Sequence, residues 1–302
     1  MPQSTQFIAS ALANADQAPP DPDGSPAATP SGGLPALRAE LDRIDNAIHD
    51  LLMQRARVVE EVGRSGKPAA FRPGREASII RRLLAQHHGK LPAMTLCRLW
   101  RELLAGTTAM QGAFVISVGP GEAGDGLAQL AREHFGALTP LRIQGSAGQA
   151  LNEVQNGHAA VAVVPMPSEA ETWWSTLMRP DRRLYVVARL PFWATRPDGA
   201  PALQALVVAS TPPDPSGDDR SFVAFEADGD VGRARIASEL AAAGLTPETI
   251  VLARAPGGSD AHVLVEVSGA VAEDDARLAA TRPLLRHAVV VGGYAVPVGG
   301  GA

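Results

Sequence analysis

Cysteine is nearly absent from this 302-residue chain. Cys97 stands alone, so no intrachain disulfide can form, which fits a reducing cytosol. Aromatic residues make up only 4%, and lysine occurs just at Lys67 and Lys90, leaving arginine to carry nearly all the positive charge. No apolar run reaches the roughly 20 residues a membrane helix needs, so no membrane partner is expected. His87 and His88 are adjacent and the other histidines are scattered, so no metal-ligand spacing is readable. Gly119, Gly121 and Gly124 lack the Lys-Ser/Thr end of a phosphate loop. Basic residues are mixed with acids and not interleaved with aromatics, which argues against nucleic acid.

What is present describes a globular, multidomain chain. With 45% hydrophobic and 20% charged residues, its length accommodates two or three domains. Phe7 to Ala15 superficially resembles a secretory leader, but no Lys or Arg precedes it, and a cytoplasmic protein is expected. Asp16 to Gly33 is rich in Pro, Ala, Ser and Gly, so residues 1–33 read as a disordered lead-in. Charge is unevenly spread. Leu34 to Gly112 holds 13 Lys+Arg against 8 Asp+Glu, while everything after Gly112 holds 14 against 21. The first folded region is therefore suited to a small anion.

Apolar residues at Leu37, Leu41, Ile44, Ile48, Leu51, Val58 and Val62 alternate by fours and threes, predicting one helix from Leu34 that ends near Gly63, Gly66 and Pro68. At about 30 residues it is roughly 45 Å long, a surplus that points to a dimer sharing helices. A second helix, about Arg75 to Gln86, is expected to bury Ile79, Ile80, Leu83 and Leu84. A third, from Pro92 to Met110 or Gln111, carries Leu96, Leu99, Trp100, Leu103 and Leu104 on one side. After Gly112 the period changes. Strand-like runs at Phe114–Val118, Leu141–Gln144 and Val161–Val164, separated by helical segments, predict an open parallel βαβαβ sheet, closed by Leu184–Ala188 and Ala205–Ala209. From Arg220 the order βαββαβ matches a ferredoxin-like module.

One residue breaks the first repeat. The step between Leu51 and Val58 falls on Arg55, and a charge on an apolar stripe needs an anionic partner. A ligand carboxylate, a salt bridge to Glu102 and a snorkelling side chain all fit. Arg38 lies on the same helix, but 17 residues at about 100° each leave it roughly 100° away around the axis. In a helix-sharing dimer it reaches the partner's pocket. Lys67, Arg75, Glu76, and the i, i+4 pair Thr107 and Gln111 complete the candidates; the bland alternative is solvated charge and ordinary helix-end polarity.

The segments LPALRAELDRIDNAIHDLLMQRARVVEEVGR, RPGREASIIRRLL and LWRELLAGTTAMQG together resemble the all-helical chorismate mutase family, over Leu34 to Gly112. The resemblance implies an all-α, intertwined homodimer that takes chorismate, a dianion, without cofactor or metal, in the shikimate pathway to aromatic amino acids. It further implies that Arg38 of one subunit and Arg55 of the other hold the two carboxylates, that Arg75 and Glu76 form the PxRE motif with Glu76 near the substrate hydroxyl, that Gln111 and Lys67 donate to the ether oxygen, and that Thr107 lines the pocket. The family lysine aligns nearest Gly66, and Arg72 stands where an acidic residue is usual.

The remainder resembles the prephenate dehydratase and ACT portions of bifunctional P-proteins, in degenerate form. VGPGEAGDGLAQLAREHFG and AVAVVPMPSE match the opening strand and a later turn, but Leu203, Gln204 and Ala205 occupy the place of a catalytic Thr-Arg-Phe. The resemblance implies a partial, periplasmic-binding-like α/β domain at 113–215 and an ACT-type α+β module at 216–298. In that module the ligand turns are reduced to Gly232, Arg233 and Ala234, and to Ala253, Arg254, Ala255 and Pro256. Three functions follow: a chorismate mutase, a bifunctional mutase and dehydratase, or a non-catalytic regulator that binds chorismate or mediates dimers.

Overall fold

The computed structural model describes residues 33–65, 71–121, 125–179, 181, 183–254 and 259–299. The lead-in through residue 32, Lys67, Gly124, Ala255 and Pro256 lie outside the described residues. The chain divides into residues 1–58 and 59–302, each a unit in itself.

From Leu34 the described part of the first unit is helix. α1 runs Leu34–Arg64, 31 residues, as the apolar repeat and its good helix formers require. Its expected seam is not buried. Leu41, Ile48 and Leu51 are 59%, 50% and 64% exposed, and no residue of α1 is buried. The periodicity is real, but among the described residues the stripe stays exposed.

In the second unit, α2 (Pro73–Ala85) and α3 (Ala93–Ala109) start at or just after prolines, which tolerate a helix's first turn because its N–H groups lack intrahelical partners. Their buried faces differ from the apolar count. α2 buries Gly74, Glu76, Ala77 and Ile80, leaving Ile79, Leu83 and Leu84 half-buried. α3 buries Cys97, Arg101, Leu104, Thr107 and Thr108, an i, i+4, i+7 stripe, while Leu99 is 56% exposed. Both helices turn smaller and polar faces to the rest of the unit because they pack on Phe192 and Ala295 of the later chain.

The α/β part follows as β1 (Ile116–Val118), α4 (Gly126–Phe135), β2 (Leu141–Ile143), α5 (Ala147–Gln155), β3 (Val161–Pro165), a 3-10 turn at Trp173–Met178, β4 (Tyr185–Leu190) and β5 (Ala205–Ala209). Then come β6 (Asp219–Asp228), α6 (Arg233–Ala242), β7 (Pro247–Arg254), β8 (Asp260–Ser268), α7 (Ala276–Ala280) and β9 (Arg286–Ala295). The strands form one nine-stranded sheet, ordered β2-β1-β3-β5-β4-β9-β6-β8-β7. β1 is parallel to β2 and β3, as the βαβαβ pattern predicts, and β5 then pairs antiparallel with both β3 and β4. The last four strands lie in antiparallel order fourth-first-third-second, the ferredoxin-like arrangement.

The sheet continues across the expected boundary at residue 215, because β9 runs parallel to β4. Alternation along β6 explains why the ferredoxin-like portion is not a free module. Val223 and Phe225 face α6 and α7, while Phe222 and Ala224 join the core containing Trp174, Leu206 and Val208. The strand contact needs Gly292. Its φ is +120°, and a Cβ there would overlap the Val186 backbone.

Candidate functional site

The sequence-based candidates fall into separate groups. Arg38 is exposed and Arg55 half-buried on α1, in the first unit. In the second unit, Thr107 is buried and its hydroxyl donates to the Leu103 and Leu104 carbonyls, each at 3.0 Å. Gln111 follows one turn later, its amide donating to the Thr107 carbonyl at 3.4 Å. Its Cγ lies beside Gly63 at the end of α1.

Arg75 and Glu76 open α2, and the later chain fixes that opening. α2 has no capping side chain of its own. Asp214 supplies one from far along the sequence, its carboxylate accepting from the Gly74 and Arg75 N–H groups, each at 3.0 Å. A Cβ at Gly74 would overlap the Asp214 carbonyl, so the glycine of PGRE permits this approach. Further along, Ser78 donates to Ser216 O at 3.3 Å, and Arg81 donates to Ser216 Oγ at 2.9 Å and Val296 O at 2.6 Å. The Arg75 side chain itself is exposed.

Glu76 points the other way, into the protein. Arg101 Nη1 donates to its Oε2 at 2.9 Å, and the two side chains are 5% and 12% exposed. The Arg101 guanidinium also lies 4.5 Å over the Phe192 ring and contacts His134 Nε2 at 3.3 Å. Burial pulls the Arg101 guanidinium below its usual range, opposed by the Glu76 charge. Burial, reinforced by Arg101, pushes His134 well below the usual imidazole value, so it is neutral at pH 7. The Cys97 thiol is raised by burial, only partly offset by Arg101.

A cavity of ≈ 310 Å³ opens beside Glu76, walled by Phe71, Glu102, Phe114, His134 and Phe135; Arg75, Thr107 and Gln111 do not line it. Arg101, His134 and Asp214 were not among the sequence candidates. Arg101 carries a signal of the same kind as Arg55, a charge on the stripe Cys97, Leu104 and Thr108. It was masked because Leu99, Trp100 and Leu103 suggest a different buried face. Asp214 lies 140 residues from the amide it caps, and no local pattern points to it. Among the described residues, no group of His, Cys, Asp and Glu could hold a metal, and no helix is long and apolar enough to cross a membrane.

Residues 37–112 match the family model of chorismate mutase type II. The bifunctional chorismate mutase/prephenate dehydratase of Stutzerimonas stutzeri is 29% identical over 147 residues, 46% of this chain and 40% of that protein. The chain thus matches about 40% of the length of this curated relative. Among solved structures, the quorum-quenching acylase GqqA aligns with a TM-score of 0.46 at 16% identity, covering 61% of this chain and 96% of the acylase. Prephenate dehydratase from Arthrobacter aurescens, solved with L-Phe, aligns with a TM-score of 0.43 at 15% identity, covering 62% of this chain and 92% of that one.

Proposed function

We propose that this chain, with a chorismate mutase type II domain over residues 37–112, converts chorismate to prephenate in aromatic amino acid biosynthesis. The observation that carries the reading is the family match, which takes in nearly all of α1, α2 and α3 and every candidate from Arg38 to Gln111. The reaction is a pericyclic rearrangement, which needs no nucleophile, proton transfer or cofactor. Its catalyst must hold the near-attack conformer and stabilise negative charge developing on the breaking ether oxygen. In this reading Arg55 and the partner subunit's Arg38 grip the carboxylates, Glu76 takes the hydroxyl, and Lys67 and Gln111 donate to the ether oxygen beside Thr107. The uncovered apolar stripe of α1 supports a homodimer, since a second copy of the helix would bury it. The single free thiol, Cys97, suits a cytoplasmic setting.

Purified protein is expected to consume chorismate and form prephenate, and Arg55→Ala to abolish turnover with helicity unchanged on circular dichroism. Full activity in that variant refutes the site assignment, and chorismate binding without turnover by the unmodified chain favours a regulator. A bifunctional mutase and dehydratase is the second reading, favoured because the aligned 147 residues outrun the mutase segment. Against it, Leu203 and Gln204 replace a catalytic Thr-Arg, and Gln204 Oε1 is already bound by Arg189 at 2.6 Å. Phenylpyruvate formation from prephenate separates the two readings.

A further inference from the structure

The segment joining β5 to β6, the loop after β8, and strands β4 and β9 enclose a cleft of ≈ 360 Å³ within the second unit. That volume is within the range of small-molecule sites, about 300–1,000 Å³. Pro212, Pro213 and Pro215 contribute to its lining, their fixed φ angles keeping that segment in shape, and Tyr185, Val271 and Val290 add further apolar surface. None of the described residues assigned above to mutase chemistry lines it. Neither do Gly232, Arg233, Ala234, Ala253 and Arg254 of the ACT-type turns.

The charges of this lining do not balance. Its one cation, Arg220, belongs to a neutral group with Arg189, Glu248 and Glu266, and Asp214 is paired with Arg72 at 3.3 Å. Asp219 and Glu273, also in the lining, form no salt bridge among the described residues. Two carboxylates without a cation leave the cleft an excess of negative charge, which favours a cationic occupant. Asp219 also shapes the preceding turn, its carboxylate accepting from the Ser216 N–H at 2.9 Å and the Gly217 N–H at 3.1 Å. From that turn Ser216 Oγ accepts from Arg81 of α2 at 2.9 Å, and Asp214 caps Gly74 and Arg75. One short segment thus lines the cleft and holds the start of α2.

We propose that this cleft binds a small organic ammonium compound with an apolar body, and that its occupancy steadies the start of α2 through residues 214–219. The excess charge of Asp219 and Glu273 draws the ammonium, and the apolar body displaces water from the proline and valine surface. An occupied cleft resists the opening of the segment that caps α2, so ligand and helix stabilise each other. On the mutase reading, in which Arg75 and Glu76 serve the site, this coupling regulates chorismate turnover; that last step alone rests on the reading.

Calorimetric titration of the full chain with benzylamine, and with benzyl alcohol as its uncharged counterpart, tests the binding. The amine is expected to bind at least about tenfold more tightly than the alcohol, the worth of one charge-assisted hydrogen bond. Ala272→Trp, on the exposed loop after β8, fills the cleft and is expected to weaken the amine more than about tenfold. Should that variant fail to fold, Glu273→Gln at the exposed rim removes one charge and is expected to weaken it about threefold. Amide hydrogen exchange tests the coupling. With benzylamine at tenfold its Kd, exchange at Gly74 and Arg75 is expected to slow about tenfold, since opening there releases the segment that forms the site. Failure of benzylamine to bind, equal binding of amine and alcohol, unchanged affinity in both folded variants, or unchanged exchange at Gly74 and Arg75 overturns the proposal. A chain that shows these effects yet turns over no chorismate refutes the mutase reading and leaves the site standing.

Discussion

Asp214→Ala removes the side-chain cap that the described residues place at the start of α2, and its cost can be worked from the contacts. The carboxylate accepts two first-turn N–H groups at 3.0 Å, and as an anion it also complements the positive end of the helix. Loss of such a cap costs about 1–2 kcal/mol. The ion pair to Arg72 at 3.3 Å adds little, about 0.3 kcal/mol, because Arg72 is 55% exposed and solvent screens it. The sum is about 2 kcal/mol, a fall of roughly 4–8 °C in Tm for a unit of this size. Asp214→Asn, which keeps an acceptor but not the charge, should lose about half as much. Thermal unfolding by circular dichroism measures both. On the proposed mutase reading, in which Arg75 and Glu76 at the start of α2 serve the site, Asp214→Ala should also slow chorismate turnover below the melting range. A Tm within about 1 °C of the parent would refute the claim that the later chain caps this helix.

Three other outcomes follow from the buried contacts. Arg101→Met should destabilise by about 3–5 kcal/mol, because it strands the buried Glu76 carboxylate, and adding Glu76→Gln should recover much of the loss; urea denaturation of the single and double variants checks the coupling. His134 has a depressed folded-state pKa, so below about pH 6.5 the unfolded chain takes up a proton that the folded one refuses. Its contribution to stability should therefore fall by up to about 1.4 kcal/mol per pH unit as the pH drops toward that lowered value. Unfolding free energies measured from pH 7 to 5 should show this slope in the parent and lose it in His134→Phe. Gly292→Ala should break the β4–β9 junction at a cost of about 3 kcal/mol or more, since it combines an unfavourable φ with overlap on the Val186 backbone; hydrogen exchange should then rise along both strands.

The parts of this molecule that were legible in the sequence are those set by local geometry. The four-three repeat of α1 and the apolar runs of β3, β5, β6 and β8 follow from periods that each backbone imposes on its own side chains. The βαββαβ order led to the observed ferredoxin-like pairing, and Pro92 marked where α3 begins, whereas Pro73 and Gly74, expected in a loop before a helix from about Arg75, open α2. The polar candidates could also be named, since Arg55 interrupts a repeat and Thr107 and Gln111 share a helical face.

Which face each helix buries was not legible, because a repeat shows that a stripe exists without showing what meets it. α1 keeps the strongest stripe exposed, whereas α3 buries the weaker one through Arg101. The sequence by itself determined the elements, their order and the arginine-rich character of the first region, all products of short-range periodicity and composition. The tertiary structure alone decided that Asp214 caps α2, that Arg101 joins Glu76 to His134, and that Gly292 lets two strand systems become one sheet. These contacts join residues distant in sequence, so packing and desolvation selected them and no local period records them.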